Sequence, residues 1–193
     1  MDNLKDVLSH ASALVDKGAA DPTAAAGMVA QHIQGHFAVS RATLWMLQVQ
    51  DGERVLSRTG GFDGVTKQTL VEPMLLRESD LGSLFDILVS DSVYGCEDTD
   101  ADPRFDPLRL ARVLPDDIRA SLTAPVSING LVVGIVSCTQ INETRRWTQA
   151  EMTGLRRVAD DIALRYVRRK RLIEQAQLLS GEGPDLTNPP TLT

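Results

Sequence analysis

The sequence predicts an α+β fold, a central antiparallel sheet with helices gathered mainly on one face. Three observations carry this. The elements run in the order helix, helix, strands, short helices, strands, long helix. Asp51-Gly52 and Asn129-Gly130 each join two strand-like runs, as two-residue hairpin turns with positive φ at both positions do. Helix-start signals stand before the second helix and before the last one. At 193 residues the chain suits one domain with helical or disordered flanks. Its 42% hydrophobic and 24% charged residues are an ordinary globular balance.

Taken in order, Leu4, Val7, Leu8, Ala11, Leu14 and Val15 recur at three and four residues, the apolar stripe of a first helix that Lys17-Gly18 ends. Asp21 caps a second helix with Pro22 at its first position, and Ala26, Val29, Ala30, Ile33 and Phe37 face inward. Residues 41–49 form a strand with apolar side chains on both faces, which implies cover on both. Residues 53–58 return from the Asp51-Gly52 turn, whereas 60–64 are too glycine-rich for regular structure. Residues 66–76 form a third strand. Ser79 or Asp80 then caps a helix to about residue 89, with Leu81, Leu84, Phe85 and Leu88 on its apolar face. Residues 92–96 are a short strand, 99–106 an acidic loop, and 107–113 one or two helical turns that Pro115-Asp116-Asp117 breaks. Residues 118–126 and 131–140 pair across Asn129-Gly130, and the second run, apolar on both faces, is a central strand. Thr148 and Glu151 form a capping box at the start of the last helix. Its stripe runs through Leu155, Val158, Ala159, Ile162, Tyr166 and Val167, then Ile173, Ala176 and Leu179. Residues 181–193 are polar and proline-bearing and read as a disordered tail.

Several function classes fit poorly. A net charge of −6 leaves no general footprint for nucleic acid or an anionic membrane surface. The polar start has no apolar signal-peptide core, and no apolar run approaches the roughly 18 residues of a membrane span. Cys96 and Cys138 make neither a metal framework nor a secreted disulfide scaffold, so a reduced, cytoplasmic protein is the simplest reading. His32 and His36 have a metal spacing, but no carboxylate or cysteine stands near them in sequence, and His10 reads as a surface residue. The 60–64 stretch lacks the Gly-Lys-Ser/Thr of a phosphate loop. The acids between Glu97 and Asp106 lack EF-hand spacing and read as a solvated loop. No Ser-His-Asp order or paired-acid motif stands out. The run Arg165, Arg168, Arg169, Lys170, Arg171 fits a solvated helix face beside Asp160 and Asp161 better than a phosphate or nucleic-acid patch.

The chain resembles a GAF domain over about residues 22–168. The resemblance rests on Ser40-Arg41-Ala42-Thr43-Leu44-Trp45, on Asp102-Pro103-Arg104-Phe105, and on Leu114-Pro115 with Ile118-Arg119-Ala120-Ser121-Leu122. It continues through Ala124-Pro125-Val126, Gly130-Leu131-Val132-Val133-Gly134-Ile135, and Arg146-Trp147-Thr148 with Glu151. The order of the pieces makes it specific. It implies a sheet of five to six strands with the N- and C-terminal helices on one face, and short helices and loops forming a cup on the other. Residues 1–20 would then be an N-terminal helix, 21–168 the GAF-like domain, 169–180 an extension of the last helix and 181–193 the tail.

On that mapping Tyr94, Arg104, Phe105, Arg119 and Ser121 are the ligand-binding candidates. Each has a second reading. Arg104 could pair with Asp100, Asp102 or Asp106, Arg119 could lie exposed beside Asp116 and Asp117, and Tyr94 and Phe105 could belong to the core. Trp45 and Trp147 read as packing anchors. The resemblance implies a non-catalytic sensory or regulatory domain, with no catalytic or metal-binding residue, that binds a small molecule and signals through its terminal helices. The last helix would span roughly 50 Å, longer than the domain it closes. A homodimer through the terminal helices follows, with a separate output protein as partner and neither nucleic acid nor membrane. The sequence specifies no cofactor and no ligand identity. The competing readings are a free methionine sulfoxide reductase acting through Cys96 and a purely structural dimerisation module. Against the first, the relatives' other active-site cysteines are missing, and Glu97 and Asp98 deny Cys96 the positive field that lowers a thiol pKa. Bilin attachment is disfavoured because Glu follows Cys96 and Thr follows Cys138, where such relatives commonly carry His.

Overall fold

The computed structural model describes the backbone of residues 2–90, 92–110 and 118–180, and the side chains of 4–90, 92–109 and 118–168. Helices α1 (Asp2–Asp16) and α2 (Pro22–Phe37) lead into strands β1 (Arg41–Gln50) and β2 (Glu53–Asp63). Two short strands follow, β3 (Gln68–Thr69) and β4 (Leu75–Arg77), then helices α3 (Glu78–Leu81) and α4 (Ser83–Leu88). Strand β5 (Tyr94–Cys96), a 3-10 turn (Pro103–Phe105) and helix α5 (Asp106–Leu110) precede β6 (Ile118–Ile128), β7 (Leu131–Ile141) and the 32-residue α6 (Gln149–Ser180).

All pairings are antiparallel. The seven-stranded sheet has the order β3-β2-β1-β7-β6-β5, with β4 also on β2, so β7 is central. Both hairpin turns form as the dipeptides require, with φ of 54° and 79° at Asp51-Gly52 and 52° and 79° at Asn129-Gly130. The Asp21 carboxylate caps α2 by accepting from the Ala24 N–H at 2.9 Å. At α6 the capping box closes in both directions: Thr148 N–H donates to Glu151 Oε2 at 2.8 Å, and Glu151 N–H to Thr148 Oγ1 at 3.2 Å.

Strand alternation divides the core into two layers. Ala42, Phe62, Ala120, Leu122, Ala124, Val136 and Cys138 face α1, α2 and α6, meeting Val29, Ile33, Leu155, Val158 and Ala159. Trp45, Leu56 and Ile135 face the other way, onto Leu81, Leu84, Phe85, Leu88, Phe105 and Leu108 of the short helices. The helix layer and the cup therefore share one sheet.

Three expectations need correcting. Residues 60–63 are not irregular: they continue β2, because α2 lies so close that a Cβ at Gly60 would stand 2.5 Å from that of Ala26. The glycines serve packing there, not a turn. The single strand expected over 66–76 is two short ones, β3 and β4. The helix expected from Ser79 or Asp80 starts at Glu78 after Arg77, without a side-chain cap, and Gly82 (φ 52°, ψ −132°) splits it. The Ser79 N–H is instead taken by Glu53 Oε1 at 2.8 Å. The break at Pro115-Asp116-Asp117, the stripe beyond Arg168 and the tail lie outside the described residues.

Gly134 gives the fold a direct test. A Cβ there would stand 2.2 Å from the Trp45 carbonyl oxygen, a backbone atom that cannot swing away. Gly134→Ala is expected to destabilise the protein by at least about 2 kcal/mol in urea unfolding. An unchanged midpoint would show that β1 and β7 are not this close.

Candidate functional site

The cup encloses a cavity of about 80 Å³ between the sheet and the short helices. Its floor is unusual for the middle of a sheet. On three adjacent strands, alternate residues are small and polar: Thr43 on β1, Ser137 and Thr139 on β7, and Ser121 and Thr123 on β6, all buried. Register lines them up in rows, Thr43–Ser137–Thr123 and, one step along, Arg41–Thr139–Ser121. The wall and roof are apolar, with Leu76, Leu81, Leu84, Leu88, Phe105 and Leu108.

Most of the polar floor is already partnered. Thr43 Oγ1 accepts from Trp45 Nε1 at 2.8 Å, and the Thr123 and Ser137 hydroxyls share a hydrogen bond at 3.1 Å. Arg41 lies at one side and ion-pairs with Asp63 at 2.6 Å. Burial opposes ionisation of Asp63, but the Thr66 N–H, Arg41 and the Val65 N–H outweigh it and hold its pKa below the ordinary value. The buried Thr139 hydroxyl has no partner, and neither has Arg58 Nε. These two groups line a cavity and have bonding capacity left over.

The five residues singled out from the sequence divide. Phe105 and Ser121 line the cavity. Tyr94, Arg104 and Arg119 do not; they organise the wall outside it. The Tyr94 hydroxyl donates to Asp102 Oδ2 at 2.7 Å, and Arg104 grips the same carboxylate from Nε at 2.7 Å and Nη2 at 2.6 Å, its guanidinium 5.0 Å over the Tyr94 ring. Arg119 is the extra residue of a bulge on β6, since Ile118 pairs with Ile141 and Ala120 with Gln140. The bulge puts Ile118 in the cavity and leaves Arg119 bonded to Asp98 at 2.9 Å and near Asp100 at 3.2 Å. The acids of the loop are thus taken by arginines. Among the described residues no group of three or more His, Cys, Asp or Glu side chains is placed to hold a metal ion.

The sequence reading missed Arg41, Thr43, Arg58, Thr123, Ser137 and Thr139. The hydroxyls did leave a signal, small polar residues at every second position of otherwise apolar strands. Arg58 left none. Thr59 is the extra residue where Leu44 pairs with Gly60 and Trp45 with Arg58, and this bulge alone turns Arg58 to the cavity face.

The thiols are poor nucleophiles. Burial, and then the Asp102 carboxylate, push Cys96 up to about 11, and burial pushes Cys138 up to about 12. Asp102 moves the other way: Arg104 first, and Tyr94 in addition, hold it well below the usual carboxylate range. A depressed carboxylate stabilises the fold above its unfolded value near 4, and that contribution is lost as pH falls toward the lower folded value. Asp102→Asn is therefore expected to cost about 1–2 kcal/mol at neutral pH, with Arg104's exposed share screened by water, and to flatten the acid limb of stability below about pH 4. Urea midpoints across that range check it; an unaltered acid limb would remove Asp102 from the wall's support.

The sequence matches the GAF domain family over residues 21–166. None of the curated proteins matches the chain. Among solved structures, the GAF domain of an Acinetobacter phosphoenolpyruvate-protein phosphotransferase is similar at 12% identity and a TM-score of 0.61, over 88% of this chain and 93% of that one. The phycoerythrobilin-bound GAF domain of a cyanobacterial phytochrome is similar at 12% identity and 0.63, over 86% and 95%. A type II free methionine-R-sulfoxide reductase from Thermoplasma acidophilum is similar at 11% identity and 0.54, over 75% and 91%. At such identities the likeness is one of fold, and together with the family match over most of its length it makes this chain a member of the GAF domain family.

Proposed function

We propose that this GAF domain is a non-catalytic sensory or regulatory module. It binds a small molecule in the cavity and passes a change in its wall to a partner through the terminal helices. The observation that carries this reading is a sheltered cavity whose lining retains an unpartnered Thr139 hydroxyl and an unpartnered Arg58 Nε. Buried polar groups are stable with partners, and a bound ligand would supply them. Phe105 and Ser121 would touch that ligand; Tyr94, Arg104 and Arg119 would act on it through the wall.

A route from the wall to the helix supports the signalling half. Trp147 Nε1 donates to the Cys96 carbonyl at 3.0 Å, and the Arg145 N–H to the Glu97 carbonyl at 3.0 Å. Arg145 Nη2 also donates at 2.6 Å to Glu151, the capping residue of α6. A shift of β5 and its loop would therefore reach the first turn of α6 directly. The ligand must favour one arrangement of this route over another for a signal to result. Farther along α6, Leu164 and Tyr166 are 57% and 48% exposed. A second copy pairing about a two-fold axis would cover them, making the working unit a homodimer. The terminal helices would hand the change to a signalling output.

Native mass spectrometry of protein purified without added ligand tests this. The expected result is a dimer with a discrete extra mass that denaturation releases. A dimer without it favours a structural dimerisation module, and an unliganded monomer overturns both the sensing and the pairing. The reductase reading is tested separately. With a thiol near 11, native Cys96 should alkylate with iodoacetamide at pH 8 on the order of a hundredfold more slowly than in the unfolded chain. Neither the parent protein nor Cys96→Ser should reduce free methionine sulfoxide; turnover lost on that substitution would make the chain an enzyme.

A further inference from the structure

We propose that the cavity takes a short uncharged aliphatic carbonyl compound, a small ketone or amide, whose carbonyl oxygen accepts from the facing hydroxyls of Thr139 and Ser121; this rests on the sensor reading and names the class of its ligand. Register, hydrogen-bond supply, charge and size point the same way.

The cup face of the sheet runs in cross-strand rows. Asp63, Arg41, Thr139 and Ser121 stand side by side on β2, β1, β7 and β6, and Gly61, Thr43, Ser137 and Thr123 form the next row. The third row holds Trp45, Ile135 and Pro125 on β1, β7 and β6. The floor is therefore polar at one end and apolar at the other. Thr139 and Ser121 line the cavity at its polar end and are buried, at 9% and 6% exposure. They are directly opposed, and Cβ atoms of such a pair lie about 4.5–5.5 Å apart, so both hydroxyls can reach one oxygen held between them.

This floor has protons to give. Thr43 Oγ1 accepts from Trp45 Nε1, and the Thr123 and Ser137 hydroxyls share one bond. Of the floor's hydroxyl protons, only the one in that shared bond has an acceptor among the described residues. Buried hydroxyls are ordinarily satisfied, and what this set lacks is an acceptor. A carbonyl oxygen has two lone pairs and can take a proton from each side of the Thr139–Ser121 pair.

Charge argues against an ion. The two arginines of the lining are turned to other partners. Arg41 pairs with Asp63, its neighbour in the row, at 2.6 Å. The Arg58 guanidinium points outward to the Glu72 backbone carbonyl in an exposed bond. No Asp, Glu or Lys lines the cavity. A carboxylate or an ammonium group would lose its water there and gain no counter-charge, whereas a carbonyl loses far less and is repaid by the hydroxyls.

Size sets the length. A cavity of about 150 Å³ takes benzene, so about 80 Å³ takes roughly three to five non-hydrogen atoms. Butanone and propionamide are of that size. Their carbonyl group suits the polar end of the floor, and their ethyl group the apolar end, between Trp45 and Ile135 below and Leu81 and Leu84 above.

The test is an NMR titration of the full ¹⁵N-labelled chain with butanone, propionamide, sodium propionate and propylammonium chloride at matched ionic strength. Butanone and propionamide are expected to shift amides of β1, β6 and β7 saturably, with propionate and propylammonium about tenfold weaker or more, as burying an unpaired charge implies. Thr139→Val and Ser121→Ala should each weaken butanone about fivefold, the loss of one neutral hydrogen bond, while the spectrum away from the cavity is unchanged. Thr139→Val removes a buried hydroxyl that has no partner and keeps the side chain's shape, so it serves should Ser121→Ala prove unfolded. Propionate or propylammonium binding as tightly as butanone overturns the uncharged class yet leaves a ligand-binding cavity in place. Butanone binding that survives both substitutions, or no binding by any of the four, overturns the inference. The sensor reading is then judged independently by the mass carried in the native spectrum.

Discussion

The pleat of three central strands is the constraint on which the rest of the structure depends. Across β1, β7 and β6, Ala42, Cys138 and Leu122 stand side by side on one face, and Thr43, Ser137 and Thr123 on the other. The first row seats α2 and α6; the second is the cavity floor. Because side chains alternate with a period of two, a slip of one residue would put hydroxyls against the helices and alanines under the cup. The type I′ turn at Asn129-Gly130 starts the β6–β7 register and the extra residue Val133, between the Ser127–Val132 and Val126–Gly134 pairs, shifts it by one, so turn and bulge together set the helix packing and the polar floor.

Two departures from that pleat give the cavity its character. The extra residue Thr59 brings Arg58 to the cup face, and the extra residue Arg119 puts Ile118 there while turning its own guanidinium to the loop acids. One bulge brings an arginine to the cavity lining and the other keeps one out. The hydroxyl floor alone would suit any small polar ligand. Arg58, half-buried, donates to the Glu72 carbonyl and pairs with no carboxylate among the described residues.

The wall is built differently from the floor. Asp98, Asp100 and Asp102 are each held by an arginine, Arg119, Arg109 and Arg104, in pairs that lie partly or largely in water. Pairs of this kind contribute little stability, so the wall rests more on its buried residues, Cys96, Thr99, Phe105 and Leu108, than on its ion pairs. It is attached to β6 by the β5 pairing and by buried Thr99, which donates to the Arg119 and Ile118 carbonyls, and to the start of α6 by the Trp147 and Arg145 hydrogen bonds. The same wall encloses Cys96 among apolar and acidic neighbours, the opposite of what activates a thiol.

The sequence by itself determined what depends on local chemistry. Asp21-Pro22, Thr148 with Glu151, and the two glycine-bearing turns act within a few residues of themselves, and each forms as its chemistry requires. The order of elements, the two-faced central strands and the resemblance to a GAF domain follow from them. Tertiary structure decided whatever depends on a neighbour distant in the chain. Gly60 and Gly61 extend a strand because α2 and β1 leave no room for side chains, where composition alone suggests a loop. Glu53 takes the N–H that Ser79 was expected to leave free as a cap. Above all, the cavity lining differs from the expected set: Arg104 and Arg119 pair with the acids around them, and Arg41, Arg58 and a row of hydroxyls line the cavity beside Phe105 and Ser121. A bulge shifts strand parity by one residue through contacts with the adjoining strand, and nothing at Thr59 or Arg119 marks it along the chain.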